Sequence, residues 1–180
     1  MAGYSATGQA LTVSPADCTA VNNCLTSNDN GGNDRNVFSP LLDGLDLLYK
    51  YETDPPNLED GSATLALSYE TTMATEDPGD FIGATVTYQG GDIVDCSFPC
   101  YLAVKDGIHQ PARYLFDLTM DGLFWNGTDD LVLANFWPGG GSISNFAIYG
   151  TASPIPVPAA FWLFGTALIG FIGFSRRTAV

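Results

Sequence analysis

Positive charge is scarce in this chain of 180 residues, which has six Lys and Arg against twenty Asp and Glu. Arg176 and Arg177 belong to the C-terminal tail. Everything before them has only Arg35, Lys50, Lys105 and Arg113, for a net charge of 4 − 20 = −16. Such a polyanion would have to concentrate counterions on approaching nucleic acid instead of releasing them, which excludes a nucleic-acid partner and disfavours anionic lipid. Histidine is almost missing. His109 is the only one, and without a Gly-x-Ser-x-Gly elbow a Ser-His-Asp centre lacks its sequence signature. In Gly107-Ile108-His109-Gln110-Pro111 it reads as a loop residue. HExxH zinc motifs and Gly-x-x-x-x-Gly-Lys phosphate loops are also absent. No sequence rule selects a glycosidase pair from twenty carboxylates, so a secreted hydrolase ranks behind non-catalytic readings, and no catalytic residue is assigned.

Helical periodicity is lacking before residue 154. Alternation with period two takes its place, the mark of half-buried strands. Leu45, Leu47, Tyr49 and Tyr51 alternate with Asp46, Lys50 and Glu52, and Leu65, Leu67 and Tyr69 with Thr64, Ser68 and Glu70. Further strands are predicted at Ile82–Tyr88, Tyr101–Lys105, Arg113–Leu118, Leu131–Trp137 and Ser142–Tyr149. Pro55-Pro56, Pro78-Gly79, Gly90-Gly91 and Gly139-Gly140-Gly141 punctuate them. Asn126-Gly127 reads as a type I′ hairpin turn, and the same residues form an Asn-x-Thr sequon. The pattern predicts an all-β chain, an antiparallel β-sandwich of jelly-roll kind.

Two places in this domain suggest ligands. Asn28-Asp29-Asn30-Gly31-Gly32-Asn33-Asp34 is rich in oxygen donors, so Asp29 and Asp34 are candidate Ca²⁺ ligands, although the EF-hand spacing fails. A solvated turn is the competing reading. Trp125, with Trp137, Tyr88 and Tyr101, could lay a flat ring against a sugar. Trp137 reads first as core, and Trp125 equally as core or as platform.

Residues 154–180 differ from all that precedes them. Pro154-Ile155-Pro156-Val157-Pro158 leads into Ala159–Phe174, sixteen residues without a charge, and then Ser175-Arg176-Arg177. As a helix the apolar run would reach about 24 Å against a hydrocarbon core of about 30 Å. Bilayer thinning and snorkelling arginines make up the difference, with Trp162 at the interface. Pro158 suits a first helical turn, and the paired arginines orient the C-terminus to the cytoplasm. The layout is therefore a polar N-terminal segment over residues 1–40, a sandwich ectodomain over 41–150, and a Pro-rich linker over 151–158. A transmembrane helix over 159–175 and a basic tail over 176–180 complete it.

This tail resembles the PEP-CTERM sorting signals that exosortase systems recognise in Gram-negative bacteria. Pro156-Val157-Pro158-Ala159-Ala160-Phe161-Trp162-Leu163-Phe164-Gly165 is similar to the VP-x-PAA-x-WLFG variant. It departs from the name-giving motif in having Val157 where a glutamate separates two prolines. The resemblance implies a sorting motif at Pro154, Pro156, Val157 and Pro158, and a transient inner-membrane anchor including Ala159, Trp162, Gly165, Gly170, Phe174, Arg176 and Arg177. It further implies export, cleavage by an exosortase-type enzyme, and release to the cell surface or extracellular matrix. Met1–Ala10 has neither a basic n-region nor an apolar h-region. Gly8 and Ala10 fit the −3 and −1 positions of a signal-peptidase site, so the export signal is expected upstream or trimmed.

In an exported chain, Cys18, Cys24, Cys96 and Cys100 are expected to form disulfides. Of three connectivities, local pairing of Cys18 with Cys24 and Cys96 with Cys100 is expected, at about 2 kcal/mol per bridge. A zinc site is the weaker alternative, since neither pair has CxxC spacing. The resulting expectation is a non-enzymatic exported surface or matrix protein with no obligatory cofactor. An exopolysaccharide-binding module, with or without Ca²⁺, is the alternative.

Overall fold

The structure, a computed structural model, describes residues 9–20, 23–53, 63–75, 79–106 and 108–153. The sorting motif (Pro154, Pro156, Val157, Pro158) and the anchor (Ala159, Trp162, Gly165, Gly170, Phe174, Arg176, Arg177) lie outside the described residues. Among the described residues, no helix is long and apolar enough to cross a membrane.

In chain order the elements are β1 (Leu11–Val13), α1 (Asp17–Ala20), β2 (Cys24–Ser27), α2 (Asp34–Val37), β3 (Asp46–Glu52), a 3₁₀ turn (Ala66–Ser68), β4 (Tyr69–Thr75) and β5 (Phe81–Tyr88). The second half adds β6 (Ile93–Val94), β7 (Tyr101–Asp106), β8 (Arg113–Asp117), β9 (Leu131–Leu133), β10 (Ile143–Gly150) and β11 (Ala152–Ser153). The described residues are thus all-β, and the α-helices among them have a single turn. One sheet has the order β1-β9-β5-β4, a second β2-β8-β7-β10-β3, and a ribbon joins β11 to β6.

The two larger sheets share one core. Val86, Leu131 and Leu133 from the first pack in the same cluster as Leu102, Val104, Phe116, Phe146 and Ile148 from the second. Strict antiparallel pairing fails at one edge, where β1 runs parallel to β9. Hairpins β4–β5 and β7–β8 each stay within a sheet, so the alternation between sheets typical of a jelly roll is only partial. Two edge strands come from the stretch expected to be a polar leader, because three or four residues are too few to display a period.

Three predicted strands are altered, each by a local departure from period two. In β3 the register against β10 shifts between Ile148 and Tyr149, so that Tyr49 faces Ile148 while Leu47 faces Tyr149. This bulge puts Leu48, Tyr49 and Tyr51 in the inter-sheet core and Leu47 against the outer cluster, so the four expected neighbours do not share one face. The 3₁₀ turn does the same to the next stretch. Leu65 is buried, Leu67 is 93% exposed, and the strand starts only at Tyr69. Finally, β9 stops at Leu133 because Asn135 and Trp137 take left-handed φ of 57° and 47°. A continuing strand would point Phe136 and Trp137 to opposite faces, whereas the kinked backbone buries both in one core.

The Asn126-Gly127 hairpin does not form. β8 and β9 lie in different sheets, and Asn126 lacks a positive φ. Its Oδ1 instead accepts from the N–H groups of Thr128 (2.9 Å) and Asp129 (2.8 Å), an Asx-type turn. Gly127 is required for two reasons: φ is 77°, and a Cβ would overlap the carbonyl oxygen of Val94. The buried Tyr69 hydroxyl ties this loop to β6, donating to Gly127 O at 2.8 Å and accepting from Val94 N at 2.9 Å. Burial pushes its pKa up to about 12, against the opposing effect of the Val94 hydrogen bond.

Candidate functional site

The outer face of the five-stranded sheet is where charge is organised. Phe38 and Leu42 cover part of it, packing over Ala103, Leu115, Ala147 and Tyr149. Arg113 of β8 lies on this face, almost wholly buried. Its guanidinium donates from Nε to Asp29 O (3.1 Å) and from Nη2 to Gly31 O (3.0 Å) and Gly32 O (2.8 Å). Nη1 is paired with the buried carboxylate of Asp34, whose other oxygen accepts from Tyr149 Oη at 3.2 Å. Burial, and then the charge on Asp34, hold the Tyr149 hydroxyl above the ordinary phenol range, partly offset by Arg35 and Arg113.

This geometry changes the reading of the Asn/Asp/Gly loop. Backbone oxygens of the kind that a Ca²⁺ loop turns onto its ion are turned here onto a fixed guanidinium. Asp29 uses Oδ1 to accept from Gly31 N at 2.8 Å, and Asp34 neutralises Arg113. Among the described residues, no group of three or more His, Cys, Asp or Glu is placed to hold a metal ion.

Beside Arg113 opens a polar pocket of about 340 Å³, within the roughly 300–1,000 Å³ of small-molecule sites. α2 and the residues before it form one wall, with Asn33 and Arg35. β3 supplies Lys50 and Glu52, β7 supplies Lys105, and β10 supplies Asn145 and Tyr149. Register explains the convergence. Asn145 pairs with Glu52 on one side and Lys105 on the other, and Lys105 is in turn opposite Arg113. All four cations of the domain therefore line this one pocket, with Asp34 and Glu52 as the only acids among its described lining residues, a local balance of 4 − 2 = +2 within an overall −16.

The other candidates fall elsewhere. Trp125 is 1% exposed, its ring 5.6 Å from that of Tyr69 and its Nε1 donating to Asp129 O at 2.8 Å. It is core and offers no platform to a sugar. Trp137 is core too, donating to Pro111 O at 2.9 Å. Tyr88 donates to Gly91 O at 2.6 Å, and Tyr101 packs beside the outer cluster. His109 is better ordered than its loop sequence suggests, with Nδ1 2.8 Å from Oδ2 of the buried Asp106. Among the described residues no hydrogen bond joins it to a serine, and the same Asp106 oxygen lies 3.4 Å from the Ser142 N–H.

Both local disulfides are present, Cys18–Cys24 tying α1 to β2 and Cys96–Cys100 closing the turn before β7. Two disulfides and no free cysteine indicate an oxidising, extracytoplasmic setting. Comparison of the chain with protein-family models, curated proteins and solved structures found no match. Sequence reasoning missed the pocket, although the scarcity of cations was itself the signal. Lys50, Lys105 and Arg113 occupy strand positions of the kind that normally face water, and nothing in a one-dimensional pattern says that they face the same water.

Proposed function

We propose that this chain is a non-enzymatic, exported bacterial surface or matrix protein whose sandwich ectodomain is delivered through an exosortase-type C-terminal signal. The observation that carries the reading is the union of a twice-disulfide-bonded domain with a proline-flanked apolar tail ending in Arg176-Arg177. The bridges suit a chain that matures outside the cytoplasm, and the tail supplies a temporary hold at the inner membrane. In this reading Pro156 and Pro158 present an extended cleavage region, Ala159–Phe174 holds the bilayer, and the arginines stop transfer. The ectodomain is then passed to the surface.

The pair Arg176→Glu and Arg177→Glu tests this directly. Reversing both charges removes the positive-inside signal, and surface delivery, followed by fractionation, is expected to fall at least about tenfold, the factor that 1.4 kcal/mol of lost preference would produce. Unchanged delivery of the double variant contradicts the sorting role.

A further inference from the structure

We propose that the pocket between α2, β3, β7 and β10 binds a short acidic saccharide, one or two sugar units bearing a carboxylate. The inference stands whether or not the tail is processed, because it rests only on the outer face of the five-stranded sheet.

Two cations in the pocket lack a carboxylate partner. Lys50 is paired with Glu52 and Arg113 with Asp34, while among the described residues neither Arg35 nor Lys105 forms an ion pair. Arg35 is held in place by donating to Leu42 O at 3.3 Å and by lying 5.3 Å from the centre of the Tyr149 ring. Lys105 has no such support. It stands directly across from Arg113, whose charge Asp34 already balances. Among the described residues that ammonium has no carboxylate partner, the arrangement expected if an incoming anion completes it.

The remaining lining selects the class of anion. Asn33 and Asn145 bring amides that both donate and accept, and Glu52 brings a half-exposed carboxylate that accepts from hydroxyls. Cations beside amides and a carboxylate match a ligand that carries one negative group among several hydroxyls. Lys50 and Lys105 flank β10 on strands β3 and β7, about 10 Å apart, so flexible lysine stems can close on a ligand from two sides. The surrounding charge limits its length. At physiological salt the field is screened over about 8 Å, so a sugar inside the pocket meets the local +2, while the remote units of a long polyanion meet the acidic surface. A short or terminal unit is therefore preferred to the interior of a chain.

The test is calorimetric titration of the full chain in detergent with galacturonate and digalacturonate, alongside galactose, a neutral galactose disaccharide and a Glu-Glu dipeptide. Digalacturonate is expected to bind at least about tenfold more tightly than the neutral disaccharide, the effect of one charge-assisted contact. Lys105→Gln, which removes a side chain with no polar partner among the described residues, is expected to abolish that preference without lowering the unfolding temperature. Asn145→Ala should weaken both sugars. Equal affinity for neutral and acidic disaccharides, tighter binding of the dipeptide, no binding at all, or an unchanged preference in a folded Lys105→Gln variant would each overturn the proposal.

Discussion

Replacing Arg113 with methionine is expected to cost the fold about 3–5 kcal/mol, the usual cost of removing one partner from a buried ion pair. The variant leaves the Asp34 carboxylate enclosed with only the Tyr149 hydroxyl to satisfy it. It also releases the carbonyls of Asp29, Gly31 and Gly32, which lie on an exposed loop and can turn to water. The charge, not the loop, therefore dominates the loss. A double variant, Arg113→Met with Asp34→Leu, should recover a good part of it, since no unpaired charge then remains buried. Urea unfolding of the wild type, both single variants and the double variant measures the coupling. A loss below about 1 kcal/mol for Arg113→Met, the range of an exposed pair, would show that the guanidinium does not organise this face.

Trp125→Ala should be of similar size, about 3–5 kcal/mol, because it empties a large volume in a core that closes only partly around the gap. The ring packs against Tyr69, and its N–H satisfies Asp129 O, so the substitution also loosens the loop that Tyr69 ties to β6. Trp125→Phe should cost less, retaining most of the packing and losing the hydrogen bond. Thermal unfolding of the two variants separates a core role from a ligand platform. An alanine variant as stable as the parent would mean that the ring is not part of the core.

The sequence was most legible where a regular strand sends alternate side chains to opposite faces, even when both faces are buried. β5, β7, β8 and β10 lie within a residue or two of their predicted bounds, because both sheets use alternate side chains along these strands. It was least legible where backbone irregularity decides the face. Nothing in Leu45–Tyr51 marks the bulge at Leu48, and nothing in Leu131–Trp137 announces two left-handed residues whose purpose is to bury adjacent aromatics. The Asn-Gly dipeptide misled for a related reason. Hairpin chemistry was available, but the flanking strands belong to opposite sheets, so an Asx turn was used instead.

Local disulfide pairing could be expected from spacing alone, since each pair closes a small loop. The loop at residues 28–34 showed its oxygen-rich character and concealed its partner. The cation that it wraps is supplied by Arg113, about eighty residues later in the chain, a distance over which no local motif carries information. The pocket has the same origin, assembled from four strands and a one-turn helix that only the sheet order brings together.

The central claim, an exported domain released through its tail, meets its most direct test in the intact mass of the protein recovered under thiol-blocking conditions from cells with and without their exosortase. The account predicts both disulfides in each case, and a C-terminus within or just after Pro154–Pro158 only when the enzyme is present. A full-length tail in both strains, or blocked free thiols on Cys18, Cys24, Cys96 and Cys100, would contradict it.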